Sequence, residues 1–177
     1  MSTITRSWLA FAAIGTGLIH FALVVGSPLV LGIILAIVGL AEFGWGVLTF
    51  AREDVALPHL VLVGALTPML AWGLLLVAST AAGTPAIAQA LPLLPLAVAT
   101  LFELFIALTI AIHLRHLAEH KPGPRAPGVG RYLLGLSAGG LVIAALTTPA
   151  LAATQAGADA QSHGTSTGQF FDLPHEH

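Results

Sequence analysis

"LVLGIILAIVGLAEFGWGVLTF" (29–50) is a run of 22 residues with one ionisable side chain, Glu42. About 20 apolar residues in a helix cross the hydrocarbon core of a bilayer. A membrane-barrel strand would alternate apolar and polar residues, and this run does not, so the segment reads as a transmembrane helix. Working outward, four more stretches have the same character: 7–26, 57–78, 92–114 and 132–153. The expected fold is an all-α integral membrane bundle of five transmembrane helices.

Composition agrees. The chain has 177 residues, 56% hydrophobic and 8% charged, where soluble domains carry about 25% charged residues. The formal net charge of −2 leaves no basic field for nucleic acid, so that class of partner is set aside. The absence of cysteine removes disulfides, thiolate zinc sites, iron–sulfur clusters and a cysteine nucleophile together.

Most connectors are short, and "SP" at 27–28 makes a tight hairpin. Pro122, Pro124 and Pro127 end the fourth helix near His120. The tail, 154–177, is rich in Gly, Ala, Ser and Gln, and is expected to be disordered. The first stretch follows Arg6 as a signal peptide would, but its core is too long and no A-x-A site closes it. "PALAA" (149–153) has the look of a processing site, although small residues also simply end a helix.

Arg6, Arg52, Arg115, Lys121, Arg125 and Arg131 all fall on one side of a five-span chain. The positive-inside rule then puts the N-terminus in the cytoplasm and the C-terminal tail outside. Trp8 and Tyr132 lie at cytoplasmic helix ends, where amphipathic rings are favoured.

Three ionisable side chains lie within the spans: His20 on the first, Glu42 on the second and Glu103 on the fourth. Each is costly in hydrocarbon, about 2.5–3.5 kcal/mol for a central carboxylate, and so marks a candidate site. At about 1.5 Å per residue, Glu103 falls between the depths of the other two. They form one internal polar cluster if their helices pack together. Two readings stand: a proton or cation path with a buried ligand set, or a hydrogen-bonded link between helices. Pro68 interrupts the third helix and frees a carbonyl near Gly64. Gly135 with Gly139, and Gly140 with Ala144, are small-residue pairs suited to close helix packing, within the chain or between copies.

"HLRHLAEH" (113–120) ends the fourth helix. His113, His116 and His120 share a helix face within roughly 60°, and an i, i+4 pair can reach one ion. "HLAEH" also matches the H-x-x-E-H pattern of inverzincin peptidases, without the further ligand those enzymes need. Basic residues and histidines also suit a helix C-terminus electrostatically. In the tail, His163, His175 and His177, with Asp172 and Glu176, are donors suited to copper(II) or zinc. A membrane haem wants two histidines at matched depth, and His59 with His113 is the candidate pair.

"GTGLIHFALV" (15–24) followed by "VGLAEFGWGVL" (38–48) resembles a group of small uncharacterised bacterial polytopic membrane proteins. These carry a G-x-x-H-φ stretch in the first helix and a Gly-x-x-acid or amide stretch late in the second, the places of His20 and Glu42 here. The resemblance implies a multi-pass protein of the bacterial inner membrane and no particular activity. The function expected from the residues is binding or moving a small cation, either a proton or a transition metal such as copper or zinc. The rival is a non-catalytic accessory subunit of a larger membrane complex, with a protein partner or a second copy against the bundle.

Overall fold

The computed structural model describes residues 1–52, 55, 57–83, 92–119 and 128–165, without the side chains of 161–165. The described residues form six helices and no strand: α1 (Thr3–Val24), α2 (Leu29–Ala51), α3 (Pro58–Ala81), α4 (Leu93–Ala118), α5 (Val129–Ala152) and α6 (Gln155–Thr165). The first five are each long and apolar enough to cross a membrane. The chain therefore has the architecture of a helical membrane protein. Its spans lie within a few residues of those expected from hydropathy.

Helix ends follow local chemistry. The Ser2 side chain caps α1 by accepting from the Thr5 N–H at 3.1 Å. α1 stops at a turn in which Gly26 has φ +84°, a left-handed conformation that glycine adopts without a Cβ clash. Pro28 then precedes α2, where its missing N–H costs nothing. Leu57 opens α3 with φ 51°, unusual for a side chain of its size.

α1 is the hub. It packs against α2, α4, α5 and α6, whereas α3 rests mainly on α4. Its buried face carries small or slender residues, among them Ala10, Ala13, Gly17 and Thr16, so neighbours approach closely on several sides. On α2, Gly32, Gly39 and Gly46 are all buried and recur every seven residues, which puts them on one helix face. Two of them meet the α1 backbone. A Cβ on Gly17 would lie 2.8 Å from the Gly39 carbonyl oxygen, and one on Gly46 would lie 2.9 Å from that of Ala10.

The glycine pairs of α5 work within the chain. Gly135 faces Ile4, and its carbonyl accepts from the Trp8 indole N–H at 2.8 Å. Gly139 faces the Trp8 ring. Trp8 thus ties α1 to α5 and is half-buried.

The tail departs from the sequence expectation in its first part. Residues 155–165 form α6, where disorder was expected from 154 onward. Thr154 is buried and its hydroxyl accepts from the Gly157 N–H at 3.1 Å, capping the helix. Gly157 allows the helix start to press on Leu151 and Ala152, and the Gln155 side chain meets Gly26 at the α1–α2 turn. Composition alone missed these local contacts. The remainder of the tail, 166–177, lies outside the described residues.

Gly39→Ala is expected to lower stability by about 1–3 kcal/mol, because a methyl group is forced into the backbone of α1. Gly73→Ala, where nothing lies within 4 Å of the added carbon, is expected to be neutral or slightly stabilising. Thermal unfolding in detergent compares the two.

Candidate membrane-embedded cation site

The glycine seam sets the register of α1 against α2, and that register brings two ionisable side chains together. His20 lies one turn after Gly17, and Glu42 one turn after Gly39. The His20 Nδ1–H donates to Glu42 Oε2 at 2.6 Å. Phe21 and Phe43, the next residue on each helix, place their ring centroids 6.5 Å apart beside this contact. His20 is 3% exposed, so its ring reaches no bulk solvent.

The third member comes from α4. Its buried residues include Ala99, Phe102, Glu103, Ile106 and Ile110, a helical stripe turned toward the bundle. Glu103 sits in that stripe at 2% exposure. Its Oε1 stands 3.8 Å from His20 Nε2 and has no hydrogen-bond partner. That separation exceeds a hydrogen bond.

Three donor atoms, one from each residue, lie within 4.8 Å of one another. With Nδ1–H committed to Glu42, the neutral ring offers its Nε2 lone pair toward Glu103. This is the arrangement in which a carboxylate orients a histidine that binds a metal through its other nitrogen. Two ligand atoms on a tetrahedral zinc stand about 3.3 Å apart. A closing of roughly half an ångström would therefore let His20 Nε2 and Glu103 share one ion.

Charge counting gives the combinations that would neutralise the centre. Neutral imidazole with two carboxylates sums to −2. Two protons, one on the imidazole and one on Glu103, bring it to zero. So does one divalent cation, and so does one proton with one monovalent cation.

The centre borders a cleft of about 360 Å³ between α2 and α3, with His20 outside its lining. Glu42 and Glu103 both line it. The cleft exists because α2 and α3 stand apart while α4 lies behind them.

Of the metal donors expected at the helix end, His113 is half-buried and His116 exposed on α4, while His120 lies outside the described residues. Arg115 Nε donates to Glu119 Oε1 at 2.8 Å, an exposed i, i+4 pair. His59 is exposed at the start of α3. His163 lies on α6, without its side chain described, and His175 and His177 lie outside the described residues. Among the described residues, His20, Glu42 and Glu103 are the one group of three donors close enough to hold an ion. Sequence reading singled out these three by their cost in hydrocarbon. It missed the seven-residue glycine spacing that brings His20 and Glu42 together, a signal that 32, 39 and 46 carried.

No family model, curated protein or solved structure matches the chain.

His20→Leu is expected to destabilise the bundle by about 3 kcal/mol, because it leaves the buried Glu103 and the half-buried Glu42 without their imidazole. Adding Glu42→Gln to His20→Leu should restore part of that loss. A double-mutant cycle of unfolding in detergent reads the coupling. Simple additivity would show that His20 and Glu42 do not interact.

Proposed function

We propose that this protein binds and exchanges a small cation, a proton or a divalent transition metal such as zinc or copper, at the His20–Glu42–Glu103 centre. One observation carries the reading. Glu103 is buried, and its Oε1 has no hydrogen-bond partner while standing 3.8 Å from His20 Nε2. A purely structural polar link between helices would satisfy that atom, since an unpaired buried acceptor costs about 1–3 kcal/mol. A bound ion satisfies it instead.

Charge supports the same reading. Replacing two protons by one divalent ion leaves the centre neutral, so the exchange adds no net charge to a low-dielectric interior. Metal binding then appears as proton release. The protein sits in a bacterial inner membrane with its N-terminus in the cytoplasm. In support, all six basic residues fall on one side of a five-span chain.

Zinc added to the protein in lipid nanodiscs is expected to bind once per chain and release about two protons. The response should persist when His113, His116, His120, His163, His175 and His177 are all changed to alanine. Glu42→Gln should weaken zinc binding about 10–100-fold, and Glu103→Gln at least as much. Calorimetry and a pH indicator make both measurements. The reading is overturned if zinc releases no protons and vesicles show no proton flux that depends on Glu103.

A further inference from the structure

The cleft above the centre is built for something larger than an inorganic ion. Its volume of about 360 Å³ falls in the range of sites for small organic ligands, about 300–1,000 Å³. Its walls are mostly apolar side chains of α2 and α3. Ile37 on one wall is 63% exposed and Leu60 on the other 68% exposed. Both lie on spans, so the mouth opens sideways into hydrocarbon. A solute that reaches this mouth has first to dissolve in the bilayer.

The polar atoms in the cleft share one character. Glu42 and Glu103 present carboxylates. Pro68 has no N–H, which leaves the Gly64 carbonyl without its helical donor, and both residues line the cleft. Thr67 donates its hydroxyl hydrogen to the Val63 carbonyl at 2.7 Å and keeps its lone pairs. Apart from the Trp45 indole N–H, these groups are acceptors when the two glutamates are ionised, which favours cations over anions. Trp45 lines the same space, and indole is the aromatic ring most attractive to organic cations. The buried Glu103 Oε1, without a hydrogen-bond partner, adds an acceptor at the edge of the cleft.

We propose that the cleft between α2 and α3 binds an amphipathic organic cation that enters laterally from the lipid and sets its positive charge against Glu42 and Glu103. The proposal rests on the reading that the His20–Glu42–Glu103 centre exchanges cations. A monovalent organic cation supplies one of the two positive charges that neutralise the centre.

The test uses tetraphenylphosphonium, with tetraphenylborate as an anion of the same shape, on the full chain in nanodiscs. Binding is scored above empty nanodiscs. The expected result is one tetraphenylphosphonium per chain, about one proton released against about two for zinc, and mutual displacement of the two cations. Tetraphenylborate should show no saturable binding. Glu103→Gln, nearly isosteric, should weaken tetraphenylphosphonium about tenfold or more. Equal binding of the two probes to the wild-type protein, or affinity unchanged in Glu103→Gln, overturns the proposal. Zinc-driven proton release without tetraphenylphosphonium binding overturns the proposal alone. Loss of both responses, together with no proton flux that depends on Glu103, overturns the reading beneath it as well.

Discussion

Gly17 and Gly39 bring the backbones of α1 and α2 into contact, and the polar centre depends on that closeness. A Cβ on either residue would lie 3.0 Å or less from the opposite carbonyl oxygen. The hydrogen bond between His20 and Glu42 forms one turn further along the same seam. A different register of α1 on α2 would leave the two side chains apart. In hydrocarbon each would then lack a partner that water supplies elsewhere. The seam converts two separately expensive groups into one paired unit.

α4 adds to this unit without closing it. Glu103 is brought to the ring but held 3.8 Å from Nε2, and α3 rests mainly on α4. One carboxylate is therefore hydrogen-bonded to the ring, and the other stands beyond hydrogen-bond distance of it. The bundle is tight between α1 and α2 and between α1 and α5, and open between α2 and α3. That asymmetry separates a hydrogen-bonded centre on one side from a ligand-sized space on the other.

The spans were legible because hydrocarbon imposes a length and a polarity that few other environments impose. His20, Glu42 and Glu103 were legible for the same reason, since ionisable groups in spans are costly enough to stand out. Their mutual geometry was not, because it depends on which faces meet. The glycines at 135 and 139 were read as packing residues, and the structure sets them against Ile4 and Trp8. The seven-residue repeat at 32, 39 and 46 was the stronger signal and lay in the same helix as Glu42. The cleft had no sequence signature. It is a distance between two helices, and neither helix encodes it alone. α6 was hidden by composition, because a cap at Thr154 and one close-packed glycine outweigh a polar sequence.

The enclosure of α1 bears on how the chain is made. α1 leaves the ribosome before the other described helices, yet its neighbours include α5 and α6, the last two of the six in chain order. Its buried face carries Ser7, Thr16 and His20. Until α2 follows, His20 has no carboxylate beside it, and until α5 follows, Trp8 has no carbonyl to bond. The α1–α2 hairpin supplies the earliest partner, through a turn at 25–28 too short to let the two helices insert far apart. Pairwise insertion shields the histidine first, and the rest of the bundle then closes around a helix already in place.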